Sequence, residues 1–126
     1  MGNLLLHYTK KEVRTGFENL MKEREEIKYQ AILYCVEEGW LEVGLSENDR
    51  VIVFTELSNE CKSVDELLMK LNKGYGKDAM IMECLTEGYL TLVDLPDGSY
   101  IVCEELPFTN HDLTLVLEVG DKDDKK

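Results

Sequence analysis

Apolar residues along the chain alternate between a helical and a strand-like spacing. Val13, Phe17, Leu20 and Met21 recur at intervals of three and four, which places them on one face of a helix. Thr9 stands before them with Glu12 three residues on, a capping box in which each residue's side chain accepts the other's backbone N–H. Gly16 sits within this stretch and weakens a helix by about 1 kcal/mol relative to alanine. Next, Ile27, Ala31, Tyr34 and Cys35 share a helical face and Gly39 follows, a residue that ends a helix in the left-handed conformation without a side-chain clash. A strand over residues 31–36 is the alternative, because that run is apolar and rich in β-formers. Residues 41–45 and 51–55 then read as two strands about the turn Ser46-Glu47-Asn48-Asp49.

The same order returns downstream. Ser63 precedes Val64-Asp65-Glu66 as a second capping box, and Leu67, Leu68 and Leu71 follow it. Ile81, Cys84 and Leu85 share a face before Gly88. Residues 90–94 and 100–104 flank Leu95-Pro96-Asp97-Gly98, where proline presets one dihedral and glycine accepts the unusual one. Sliding the chain by 49 residues lays 30–57 on 79–106 without a gap. Identities then pair Ile32 with Ile81, Cys35 with Cys84, Glu38 with Glu87, Gly39 with Gly88 and Leu41 with Leu90. Ile52 with Ile101, Val53 with Val102, Glu56 with Glu105 and Leu57 with Leu106 complete the set. Trp40 falls on Tyr89, and a shift of 48 brings Glu18-Asn19-Leu20-Met21-Lys22 onto Glu66-Leu67-Leu68-Met69-Lys70. A repeat of about 48 residues is predicted, each copy a helix, a helix and a hairpin. The expected division is a first unit over 1–58, a second unit with a C-terminal strand over 59–119, and a flexible polar tail over 120–126. Leu4-Leu5-Leu6 and residues 113–119 are expected as additional strands.

Within each copy, Glu37-Glu38-Gly39-Trp40-Leu41-Glu42-Val43 followed by a turn and Arg50-Val51-Ile52-Val53 resembles the recognition helix and wing of a winged-helix domain. Residues 86–92 followed by Tyr100-Ile101-Val102 repeat the pattern. The resemblance implies a tandem winged-helix-like α+β protein, a class that includes adaptors binding other proteins, among them partners of chromosome-organising kleisins. The chain departs from that family in lacking an obvious first helix of three in each unit and in having recognition helices that are not basic.

Charge narrows the class of partner. Twenty-six acidic against 14 basic residues leave −12, which repels nucleic acid and anionic membranes at long range. Lys10, Lys11 and Arg14, then Arg24 and Lys28, then Lys77 are the bases a DNA reader would use, but Glu23, Glu25, Glu26, Asp78, Glu83 and Glu87 lie among them. No apolar run approaches the roughly 20 residues of a membrane span. Met1-Gly2-Asn3-Leu4-Leu5-Leu6 lacks the basic start and long apolar stretch of an export signal, so Cys35, Cys61, Cys84 and Cys103 are expected as reduced thiols of a cytoplasmic protein.

No chemistry-bearing pattern emerges. His7 and His111 stand near opposite ends, and no His/Cys spacing suits zinc. Gly74-Tyr75-Gly76-Lys77 falls short of a phosphate loop and follows a helix rather than a strand. No catalytic residue, cofactor or metal is expected. The leading expectation is a non-catalytic acidic protein that binds a basic, often nucleic-acid-binding, protein as an inhibitor or adaptor. In size and charge it resembles phage inhibitors of bacterial defence. A winged-helix DNA-binding regulator and a homo-oligomeric assembly protein pairing through strand edges are the alternatives. Trp40 and Tyr89 are candidate partner anchors, and Glu37, Glu38, Glu47 and Asp49 a candidate acidic patch.

Overall fold

The computed structural model describes residues 9–22, 24–57 and 61–124. They form α1 (Lys10–Met21), α2 (Ile27–Glu37), β1 (Glu42–Leu45), β2 (Arg50–Leu57), α3 (Val64–Lys73), α4 (Lys77–Thr86), β3 (Thr91–Asp94), β4 (Tyr100–Thr109) and α5 (Asn110–Asp124). The expected strand Leu4-Leu5-Leu6 lies outside the described residues. Five helices accompany one four-stranded antiparallel sheet in the order β1-β2-β4-β3.

The first helix starts as its sequence dictates. Glu12 N–H donates to Thr9 Oγ1 at 3.0 Å, and Thr9 N–H donates to Glu12 Oε1 at 2.8 Å. Thr9→Ala is expected to lower stability by about 1 kcal/mol, read as a lower denaturant midpoint at unchanged slope. At α3 the box slips by one residue. Glu66 N–H donates to Ser63 Oγ at 3.2 Å, but the Glu66 carboxylate takes the N–H of Lys62, at 3.1 Å, rather than that of Ser63.

Residues 31–36 are helical, and α2 and α4 stop in the same way. Gly39 and Gly88 both sit at φ +79°, a conformation open to glycine and strained for other residues. The N–H of Trp40 donates to the carbonyl of Cys35 at 2.8 Å, and that of Tyr89 to the carbonyl of Cys84 at 2.8 Å. Gly39 N–H donates to Val36 and Gly88 N–H to Leu85, at 3.0 and 3.2 Å. These paired bonds satisfy carbonyls that the last turn of a helix leaves without partners. Each segment then enters a hairpin whose turn carries one residue of positive φ, Asp49 in the first and Gly98 in the second.

The two hairpins meet in the middle of the sheet, β2 against β4. Phe54 faces Cys103, 49 residues away. Val53 faces Glu104 and Thr55 faces Val102, so the same 49-residue shift carries each of these pairs onto the other. Val51, Val53, Thr55, Tyr100, Val102, Leu106 and Phe108 turn one side of the central strands into the core with Phe17, Met21, Ile32, Leu67 and Ile81 of the helices. On the other side, Ile52, Phe54, Ile101 and Cys103 are half-buried. Two lysines reach the core side from α2 and α4. Lys28 Nζ pairs with Glu104, and Lys77 Nζ donates to the buried hydroxyl of Thr55 at 3.0 Å. Lys28 and Lys77 are again 49 residues apart.

The C-terminal element corrects an expectation. Residues 113–119 are helical, not a strand, and α5 continues through Asp124 over most of the stretch expected as a tail. Alternation of apolar and polar residues suggested β structure, yet Leu113 and Leu117 are buried one turn apart while Leu115 is 46% exposed. A capping box sets the start: Asp112 N–H donates to Thr109 Oγ1 at 3.2 Å, and Thr109 N–H donates to Asp112 Oδ2 at 2.9 Å. Helix α5 crosses α1 at Gly16. A Cβ there would lie 2.8 Å from Leu117 Cδ2 and 3.3 Å from Leu113 Cδ1, so the glycine that costs helix propensity lets the two helices approach.

Candidate functional site

The passage from α2 to β1 brings aromatic and acidic groups together at the surface. In a helix, residues three and four apart share a face, and Tyr34, Glu37 and Glu38 stand so on α2, all three exposed. The Schellman-type stop at Gly39 turns Trp40 back onto Tyr34, with ring centroids 5.6 Å apart and planes at 82°. That edge-to-face geometry is one aromatic pairs prefer. Trp40 is itself half-buried and packs against the core, so one part of the indole is fixed and the rest is available. Its ring reaches the loop before α4, where a Cβ on Gly76 would lie 3.9 Å from Trp40 Cζ2. The neighbouring Tyr75 is 93% exposed.

A third carboxylate joins from α1. Burial holds the Glu18 carboxyl above its ordinary value, and a hydrogen bond with Glu37 and that group's negative charge push it further, against the pull of Arg14. Two acids drawn together in this way resist full ionisation, and an approaching cation relieves them. Tyr34, Trp40, Glu18, Glu37 and Glu38 thus offer π-faces and carboxylates together, the combination that suits a guanidinium or ammonium group.

The residues singled out from sequence separate in space. Trp40, Glu37 and Glu38 come together. Glu47 and Asp49 are exposed in the turn at the far end of β1, about 13 Å away along a four-residue strand. Tyr89 holds on α4 the place Trp40 holds on α2, half-buried against the core. Tyr34 is corrected from the buried to the outer face, and so is Ile27, at 71% exposure; Ile32, Cys35 and Val36 are the buried residues of α2. Tyr75 and Tyr34 escaped the reading from sequence as surface groups. The signal for Tyr75 was its place between two glycines, where no neighbouring side chain can cover it.

The basic residues suited to a phosphate backbone are partly engaged within the fold. The Arg24 guanidinium lies over the rings of Phe108 and Tyr29, at 5.1 and 5.9 Å. Lys28 and Lys77 have the partners given above, and Arg50 Nε stands 3.8 Å from Glu105. Lys11 is exposed. Glu23, set among these bases in the sequence, lies outside the described residues, as does His7.

Cys35, Cys61, Cys84 and Cys103 are free thiols. Cys35 and Cys84 are wholly buried, while Cys103 lies half-buried on the opposite side of the sheet. Among the described residues no group of three or more His, Cys, Asp or Glu side chains is placed to hold a metal ion, and no helix is long and apolar enough to cross a membrane. Comparisons with protein-family models, curated proteins and solved structures find no match.

Proposed function

We propose that the chain is one helix-helix-hairpin unit made twice, and that it acts without catalysis, as an acidic inhibitor or adaptor that captures a basic protein. The unit is supported by the coincident shifts of 49 residues in the helix stops, the lysine contacts and the central ladder. The observation that carries the binding role is the Tyr34–Trp40 ring pair with Glu37 and Glu38 on the same exposed face. Aromatic side chains at a partly fixed surface position make large contacts at little entropic cost, and adjacent carboxylates select for arginine or lysine. A winged-helix reading keeps the passage from helix through glycine to ribbon. Here, however, the ribbons pair with each other in one sheet instead of standing free as wings, and three of the six bases suited to DNA have partners inside the fold. Both observations favour a protein partner over DNA.

Trp40 is the only tryptophan, so its fluorescence reports on this place directly. Titration with a hexa-arginine peptide at about 20 mM salt is expected to give a saturable change in Trp40 emission, weakened at least about tenfold near 0.5 M salt. The double substitution Glu37→Gln and Glu38→Gln is expected to weaken binding by about tenfold at unchanged thermal midpoint. A flat titration, or equal affinity in the double variant, would overturn the assignment of this face.

A further inference from the structure

Two observations about α2 and α4 have no part in the binding face. Cys35 and Cys84 hold corresponding positions 49 residues apart, each giving its backbone carbonyl to the aromatic residue after the helix-ending glycine. Both side chains are wholly buried, and they meet, thiol to thiol, where α2 packs on α4. The central ladder gives the symmetry in which this contact sits. In β2–β4 the self-paired position of the 49-residue shift is Phe54 opposite Cys103, which fixes where an approximate two-fold axis crosses the sheet. In the helical layer the same shift exchanges Cys35 with Cys84, so contact between these two sulfurs puts the axis between them. A disulfide has a two-fold axis of its own through the middle of the S–S bond. Two cysteines related by a two-fold and facing each other across it are therefore matched to that bond's symmetry.

We propose that Cys35 and Cys84 form an oxidation site, at which a small peroxide converts the buried dithiol into an intrachain disulfide that ties the two halves of the chain together. The step balances without a further reagent. One sulfur of the pair, as thiolate, attacks one peroxide oxygen; the O–O bond breaks, that cysteine becomes a sulfenic acid, and the departing hydroxide takes up the proton the thiol lost on ionising and leaves as water. The other sulfur then attacks the sulfenic sulfur; the S–S bond forms, the S–O bond breaks, and the hydroxide released takes the attacking thiol's proton to become a second water. The dithiol gives up two electrons, and the peroxide is reduced to water.

The hydrogen bond to Cys84 and then burial push the Cys35 thiol above its ordinary range, while the same bond lowers the Cys84 thiol against the opposing effects of burial and the Glu83 charge, so the contact leaves one sulfur of the pair readier to ionise. Complete burial also shields the pair from other proteins' thiols, so a small oxidant admitted by local opening reacts there and the product stays within the chain. Cys103, half-exposed on the other side of the sheet opposite Phe54 and pushed upward by burial and by Glu104, is the position open to a second molecule.

The test uses the full chain with Cys103→Ser, which removes that competing route. The folded protein is treated with hydrogen peroxide, quenched, unfolded in denaturant and alkylated, and its peptides are weighed. The expected result is loss of two alkylatable thiols, one linked peptide joining Cys35 to Cys84, a thermal midpoint raised by about 5–15 °C, and reversal of all three by dithiothreitol. Cys35→Ala and Cys84→Ala are each expected to abolish the link. The mass measurement on Cys103→Ser stands even if those variants fold poorly. Three alkylated thiols after treatment, a link involving Cys61, or irreversible oxidation of Cys35 or Cys84 without a link would each overturn the proposal.

Discussion

Leu113→Ala is expected to destabilise the protein by about 2–5 kcal/mol, whereas Leu115→Ala, two residues on, should change stability by no more than about 0.5 kcal/mol. The contrast follows from α5 as a helix. Leu113 is wholly buried against Gly16 of α1, while Leu115 is 46% exposed. Truncation at Leu113 removes apolar contacts and leaves a cavity between two helices that already approach closely, so neighbouring side chains can close it only in part. An alternating strand would put Leu113 and Leu115 on the same face and give the two substitutions similar effects. Equilibrium denaturation of the two variants side by side decides the matter, and equal losses would remove the packed α5.

The second large effect concerns the places where α2 and α4 stop. Gly39→Ala and Gly88→Ala are each expected to lower stability by about 1–2 kcal/mol. Both glycines have φ +79°, and a Cβ at either would meet no atom within 4 Å. Crowding therefore contributes nothing, and the whole cost is backbone strain. Because the two sites share no partner, the double variant should lose the sum, about 2–4 kcal/mol. The comparison also tests whether the two helix ends are equivalent. Unequal losses from identical dihedrals would mean that one half tolerates the strain by shifting and the other does not. Asp49 makes a useful contrast: it already has φ +63°, so Asp49→Gly relieves strain where the alanine variants impose it.

How far these features were legible in the sequence depended on whether their signals were local. Helix α1 was plain from Thr9, Glu12 and the spacing of Val13, Phe17 and Met21, all within three turns. The hairpins followed from their turn residues, and the ends of α2 and α4 from their glycines. Helix α5 was missed because Leu113, Leu115, Leu117 and Val119 alternate like a strand, while the competing signal, Thr109 with Asp112, sat in what then becomes the end of β4. One residue thus serves as the last of a strand and the cap of a helix, and alternation alone cannot show that. The facing of α2 was misjudged for a related reason. The helix is apolar nearly all round, so its sequence allowed Tyr34 inward, and only its packing against α1 and α4 selects the side that is buried. The candidate face was half legible. Glu37, Glu38 and Trp40 were visible as neighbours in the chain, but the approach of the Trp40 ring to the loop before α4, where a Cβ on Gly76 would lie 3.9 Å from it, spans more than thirty residues.

The central ladder also bears on how the chain reaches its native state. Within each hairpin the pairing strands are neighbours in sequence, and such contacts form quickly. The β2–β4 pairs instead join residues from Leu57 with Tyr100 to Arg50 with Thr109, with α3, α4 and β3 intervening. Closing that stretch into a loop costs entropy before any of its hydrogen bonds can offset it. The pair nearest in sequence, Leu57 with Tyr100, has the smallest loop to close, so joining is favoured from that end and proceeds toward Thr109, where α5 begins. The last-made part of the sheet is then the part that sets α5 against α1, so the overall folding rate is governed by the seam and not by either ribbon.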